Sequence, residues 1–225
     1  MGKGKLAKWK ELATFDRVFE PPLNDAIEGA DHELKGKWAQ EVFGNDNPIV
    51  LELGCGKGEY TIAQARRNPN CNYIGVEIKG KRVWRGAQTI YEEDIRNVAF
   101  LRTRIEFIDR FFAPGEVSEI WLTFSDPQPK DEKGTKRITS SVFIEKRYRN
   151  VLKPDSIIHV KSDSVLLYEL SKASYIEAGY NSTDVYGELV HRVPDALREL
   201  LEVKTFYEQM WLEMGKKIHY LQIQI

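Results

Sequence analysis

The segment Leu51 to Tyr60, LELGCGKGEY, constrains the fold of this chain more than any other stretch. The apolar run IVLELG (49 to 54) leads into three glycines, Gly54, Gly56 and Gly58, and a stretch of helical length, Tyr60 to Arg67, follows. Glycines placed between a strand and a helix let the backbone turn tightly and approach a ligand closely. Dinucleotide enzymes use the longer spacing GxGxxG to seat a pyrophosphate on the helix N-terminus. Here the spacing is GxGxG, and a carboxylate, Glu52, lies in the strand that leads in. That charge repels a pyrophosphate but suits a cationic ligand such as the ammonium and sulfonium of S-adenosylmethionine.

A second acid fits the same ligand. Glu77 ends the run YIGVEI (73 to 78), nineteen residues after Gly58, where a carboxylate accepts hydrogen bonds from ribose hydroxyls. NAD and S-adenosylmethionine share that need, so the loop spacing and Glu52 carry the choice between them. The plain alternatives are a tight strand-to-helix turn and a buried structural acid bonded to nearby amides.

Further apolar runs appear at 97 to 101, 119 to 124, 156 to 162 and 218 to 225. Between most of the runs lie stretches of helical length: Lys81 to Tyr91, Ser140 to Leu152, and Ser164 to Ala178 with Gly179 as its stop. One more, Glu33 to Phe43, precedes the first run. Strands alternating with helices imply a parallel sheet covered on both faces. The last run, IHYLQIQI, alternates its side chains and suits an added antiparallel strand. The expectation is an α/β, doubly wound, Rossmann-like fold; analogy with the class I methyltransferase variant of that fold implies a mostly parallel seven-stranded sheet with an antiparallel C-terminal strand.

At 225 residues and 42% hydrophobic, one domain is expected, residues 33 to 225, behind a basic N-terminal arm, residues 1 to 32. The chain lacks a signal-peptide core and a membrane-length apolar run, and Cys55 and Cys71 lack metal-ligand spacing. A cytoplasmic protein without membrane or metal partner is expected. The net charge of −1 hides an uneven distribution. From Lys130 to Arg149 seven basic residues (Lys130, Lys133, Lys136, Arg137, Lys146, Arg147, Arg149) face three acids, and the arm adds Lys3, Lys5, Lys8 and Lys10. Such clustering points to nucleic acid, with a solvated helix face and tail as the plain alternative.

The run EIWLTF ends in SDPQPK, which places Asp126 between strand and prolines at the sheet edge where open α/β folds bind ligands. Pro127 and Pro129 restrict the loop that carries Asp126 and Lys130. These blocks, with YIGVEIKGKRV and VKTFYEQMWLEMGKKI, resemble the bacterial tRNA (guanine-N7)-methyltransferases (TrmB) through most of the chain. SDPQPK followed by KRIT is similar to that family's DPWPK loop with trailing arginines. Thr205 to Glu208 matches its TxxE element, the signal least required by the general fold.

The resemblance implies methyl transfer from S-adenosylmethionine to N7 of guanine 46 in the tRNA variable loop. It implies cofactor contacts at Glu52, Gly54, Gly56, Gly58, Glu77 and Asp126, with Asp126 also at the reacting centre. Lys130, Asp163, Thr205, Phe206, Tyr207 and Glu208 are implied to hold the substrate nucleotide. Three departures stand out. Arg104 and Ile105 occupy the place of the family's Asp-Ala pair, leaving Glu106 or Asp109 as the nearby acids for the adenine edge. Gln128 stands where tryptophan is usual, and Asp131 and Glu132 replace basic residues. The competing readings are a small-molecule methyltransferase and a non-catalytic RNA-binding scaffold with the same fold. A monomer and a homodimer are both compatible with the sequence.

Overall fold

The alternating runs resolve, in a computed structural model that describes residues 3–128, 137–186 and 195–225, into strands and helices close to the expected places. In chain order these are α1 (Lys3–Leu12), β1 (Val18–Phe19), α2 (Leu23–Ile27), β2 (Ile49–Leu53), α3 (Glu59–Arg67), β3 (Asn72–Val76), α4 (Gly80–Glu92), β4 (Val98–Leu101) and β5 (Val117–Thr123). Then follow α5 (Ser141–Phe143), β6 (Leu152–Ser162), α6 (Val165–Glu177), β7 (Ser182–Tyr186), α7 (Asp195–Leu201), α8 (Phe206–Glu213) and β8 (His219–Gln224). The sheet runs β1-β4-β3-β2-β5-β6-β8-β7. Its first six strands are parallel, and β8 pairs antiparallel with both β6 and β7.

Every residue of β2 and β3 is buried, as expected of central strands covered on both faces. Alternation sends Ile49, Leu51 and Leu53 into a core with Trp38, Phe112 and Tyr148. Val50 faces the opposite layer with Tyr60, Val83, Trp121 and Tyr220. Glu52 shares the parity of Val50, so its side chain rises toward α3. Order reverses between β2 and β5, the switch point where such sheets open a crevice at their carboxyl ends.

The sheet has eight strands rather than seven. Two of them, β1 and β7, have no counterpart among the six apolar runs; β1 is two residues long, with Val18 opposite Phe100 and Phe19 opposite Leu101. The N-terminal segment is docked over its described residues. Leu12 is buried, the Trp84 indole N–H donates to Glu11 at 3.0 Å, and the Lys8 ammonium lies 3.7 Å over the Trp84 ring.

Two helical expectations are corrected. Glu33 to Phe43 forms turns and one π turn, Trp38–Val42, in place of a regular helix. Gly36, at φ 81°, breaks the path, and the Glu116 carboxylate accepts the N–H groups of Gly36 and Trp38 at 2.8 and 3.1 Å. Ser140 to Leu152 becomes α5 and a π turn, Ile144–Tyr148, and Leu152 already belongs to β6. Gly179 terminates α6 as expected, at φ 78° with its N–H on the Ile176 carbonyl. Among the described residues, no helix is long and apolar enough to cross a membrane.

Candidate active site

At the carboxyl ends of β2, β5 and β6 lies a cavity of about 570 Å³. It adjoins a second of about 390 Å³, and Gly54, Arg82, Phe124, Ser125 and Asp126 line both. The two are halves of one cleft. Each is of ligand-pocket size.

The glycine turn forms the floor. Gly54, Gly56 and Gly58 all have φ between 60° and 82°, the left-handed region that side chains rarely adopt. A Cβ on Gly58 would stand 2.5 Å from the buried Phe100 ring, so that position is closed by packing as well. At Gly54 and Gly56 an added Cβ meets nothing within 4 Å, because both border the open cavity. This is a cradle that a side chain would fill.

Glu52 is 4% exposed and lines the larger half. One carboxylate oxygen accepts the Thr123 hydroxyl at 2.5 Å; the other accepts the Thr61 amide at 2.8 Å and the Thr61 hydroxyl. Burial pushes its carboxyl up to about 7, against the pull of those three donors. A cation brought beside it would restore the charged form. The Glu77 carboxylate, at the end of β3, accepts the Lys79 amide at 2.9 Å and pairs with Arg82 at 3.2 Å. It lines the smaller half.

Asp126 is exposed at the junction of the halves and accepts the Gln128 amide at 3.1 Å. Phe124 and Gln128 flank it at φ 49° and 44°, a conformation costing a non-glycine residue roughly 1 kcal/mol or more. Arg137 offsets that strain by donating from Nε to the carbonyls of Pro127 and Gln128 at 3.1 and 3.0 Å. The loop is therefore braced by an arginine in addition to Pro127. Pro129 and Lys130 lie outside the described residues, as do Lys133 and Lys136.

The opposite wall comes from the C-terminal region. Thr205 caps α8 by accepting the Glu208 amide at 3.2 Å, and Thr205, Tyr207 and Trp211 line the larger half. Asp163 lines it too and pairs with Lys216 at 2.9 Å; the cap of α6 is its neighbour Ser164. Phe206 is exposed outside the cavity lining, with its amide on Glu59 at 2.7 Å. Glu208 is also outside the lining. It is 2% exposed and its carboxylate meets Lys161, so among the TxxE residues the structure brings Thr205 and Tyr207, and not Glu208, to the cavity.

Of the two acids near Arg104, Glu106 lines the smaller half and Asp109 turns away to Arg147 at 3.3 Å. Burial raises the Glu106 carboxyl, but Arg104, bonded at 2.9 Å, brings the net result below the usual range. The basic stretch is partly committed internally: Arg137 to the loop, Arg147 to Asp109, and Arg149 to Glu145 at 3.0 Å. Lys146 is exposed, and Lys79, Lys81 and Arg85 are exposed on or beside the start of α4, near Glu77.

Sequence reasoning passed over several of these groups. Thr61 and Thr123 fix Glu52, Arg82 holds Glu77, and Lys216 holds Asp163. Ser125 lines both halves with its hydroxyl buried and, among the described residues, unpartnered, an acceptor and donor available to a bound group. The KGKR run after Glu77 and the threonine near the end of the β5 apolar run were the available signals.

A family model described as a putative methyltransferase matches residues 46–221. The tRNA (guanine-N(7)-)-methyltransferase of Bacteroides thetaiotaomicron is 49% identical, covering 100% of this chain and 87% of that protein. The protein of the same name from Christiangramia forsetii is 45% identical over 99% of this chain and 98% of its own length. That of Bacillus subtilis is 34% identical, covering 85% and 87%. Among solved structures, the 16S rRNA methyltransferase KamB superposes with a TM-score of 0.62 at 15% identity, covering 87% of this chain and 94% of that one. A 30S ribosomal A1408 methyltransferase from an uncultured bacterium gives 0.56 at 15% identity, covering 91% and 94%. These two likenesses concern the fold.

Proposed function

The chain belongs to the tRNA (guanine-N7)-methyltransferase family, and from that premise we propose that it transfers a methyl group from S-adenosylmethionine to N7 of guanine 46 in the tRNA variable loop. The observation that carries the reading is the arrangement of the cleft. An acid-bordered glycine turn, the Asp126 loop and the α8 wall with Thr205 and Tyr207 surround one cavity.

The residues present fit the cofactor. Bare space over Gly54 and Gly56 admits it, and the Ser125 hydroxyl offers a hydrogen bond. Glu52 would face its cationic amino acid portion, Glu77 its ribose hydroxyls, and Glu106 its adenine edge. Gly58 shapes the turn and does not line either half. When bound, S-adenosylmethionine supplies an electrophilic methyl group.

Guanine N7 presents an in-plane lone pair on the Hoogsteen edge, so no base is needed to expose it. The protein's task is alignment and electrostatic support. Asp126 stands where its carboxylate stabilises positive charge developing on the purine, or accepts from the guanine N1 and N2 groups. Thr205, Tyr207 and Asp163 on the facing wall would orient the base, with Phe206 and Lys130 at its margin. Glu208 acts from behind that wall. A guanine held in tRNA tertiary structure must be exposed before it enters such a cleft. The exposed Lys79, Lys81 and Arg85 on or beside the start of α4, with Lys10 on α1 and Lys146, would meet phosphates.

The test is incubation with radiolabelled S-adenosylmethionine and unmodified tRNA, followed by chain cleavage at 7-methylguanosine. Label at guanine 46 is expected. Label on small molecules alone, or none on RNA, overturns the reading.

A further inference from the structure

We infer that Lys161 is a positioning residue that sets the acceptor wall of the cleft against the donor loop; the inference rests on the reading of the cleft given above. Lys161 sits near the carboxyl end of β6 with only 2% exposure. Its ammonium donates to the Leu201 carbonyl at 2.8 Å, to the Val203 carbonyl at 2.9 Å and to Glu208 Oε2 at 2.9 Å, with Oε1 at 2.7 Å. A protonated lysine has three hydrogens. Two carbonyls and one carboxylate use them all.

Those partners belong to different parts of the wall. Leu201 ends α7, where the last carbonyls of a helix lack partners within it and favour a cation. Val203 lies in the link to Thr205, and Glu208 stands in the first turn of α8. One ammonium therefore closes α7, fixes the link and anchors α8. The main chain of the same residue reaches the other side of the cleft: the Lys161 carbonyl accepts the Phe124 amide at 2.7 Å, where the chain leaves β5 toward Asp126. Side chain and backbone of one residue thus register Thr205 and Tyr207 against the Asp126 loop.

Stability alone does not call for this arrangement. A buried ion pair replaced by well-packed apolar residues is often as stable or more so, whereas loss of one partner strands the other charge. Apolar replacements cannot direct two carbonyls and a helix start toward one point on β6.

The test compares Lys161→Met, Lys161→Arg and the double replacement Lys161→Met with Glu208→Leu in the full chain. Readouts are the thermal midpoint, donor affinity by calorimetry, kcat and KM on tRNA, and hydrogen exchange of the α8 amides. The double variant strands no charge but leaves the Leu201 and Val203 carbonyls without a donor, so it is expected to melt roughly 5–10 °C below wild type, to bind donor within about twofold, and to lose roughly tenfold or more in kcat on tRNA. Lys161→Met should lose kcat in the same way and exchange its α8 amides faster; Lys161→Arg should recover part of both. The inference is overturned if Lys161→Met or the double variant turns over tRNA at the wild-type rate. It is equally overturned if donor affinity, turnover and melting temperature fall together. Failure of wild type to methylate tRNA refutes the functional reading instead. In that event unchanged α8 exchange in Lys161→Met still overturns the positioning claim.

Discussion

Donor affinity should depend on pH through Glu52, and the direction follows from its surroundings. Burial holds this carboxyl at about 7, so the group is about one-tenth ionised at pH ~6 and nine-tenths at pH ~8. A ligand bearing an ammonium and a sulfonium binds the ionised form. Its affinity should therefore rise roughly tenfold across that window, and binding near neutrality should take up the charged form by releasing about half a proton. Calorimetry of S-adenosylmethionine binding in buffers of different ionisation enthalpy measures both quantities. Glu52→Gln keeps an acceptor for the Thr61 amide and removes the charge; it should bind more weakly at pH ~8 and lose most of the slope. Stability runs the other way. A carboxyl raised in the folded state contributes stability that is complete below its unfolded value of 4.5 and lost as pH climbs through about 7. Up to about 3 kcal/mol is at stake, and Glu52→Gln should melt higher than wild type at pH ~8. Donor affinity that is flat between pH ~6 and ~8, or an equal slope in Glu52→Gln, would refute the reasoning.

Gly58→Ala must place a Cβ 2.5 Å from the Phe100 ring at φ 72°; strain and overpacking together should cost about 2–5 kcal/mol, read as a thermal midpoint lower by roughly 5–15 °C. Asp126→Ala should reduce kcat on tRNA on the order of a hundredfold, beyond any fall in donor affinity from its place on the cofactor cavity, and full turnover in that variant would refute the role given to the carboxylate. Glu106→Gln should weaken donor binding roughly tenfold because it lines the cleft, whereas Asp109→Asn should lower the melting temperature and leave donor affinity alone because its partner is Arg147. Affinity for tRNA should fall steeply with salt, by roughly two orders of magnitude between ~50 and ~200 mM if about five phosphates are neutralised; a constant indifferent to salt would contradict a phosphate interface.

The parts of this molecule legible in the sequence are those whose cause is local. The loop glycines adopt positive φ because the strand-to-helix turn demands it within a few residues, and the parity of Glu52 with Val50 follows from strand alternation. Partners distant in sequence decide the rest. Glu33 to Phe43 has a helical pattern, but Gly36 and the Glu116 carboxylate, 80 residues from it, impose turns. β7, read STDVY, carries three hydroxyl residues and an acid, so this strand, paired among the described residues with β8 alone, leaves no apolar run to find. Lys161 looks like an ordinary surface charge, and Glu208 like a group facing the substrate, until the fold buries the two, 47 residues apart, together.

The same contrast divides the two walls of the cleft. The donor wall consists of turns that follow directly from β2, β3 and β5, so its shape is inherited from the sheet and tolerates change elsewhere. The acceptor wall shares the core through Leu201 and Val203, and beyond them it is attached by polar contacts between separate elements: Phe206 to Glu59, Lys216 to Asp163, and Glu208 with two carbonyls to Lys161. Polar attachments hold a direction as well as a distance, since hydrogen bonds weaken steeply off axis, whereas apolar contacts permit sliding. Methyl transfer in line between two bound molecules needs direction. Loss of these contacts should therefore leave donor binding largely in place while uncoupling it from transfer, and loss of the glycine turn or of the Glu52 charge should weaken both.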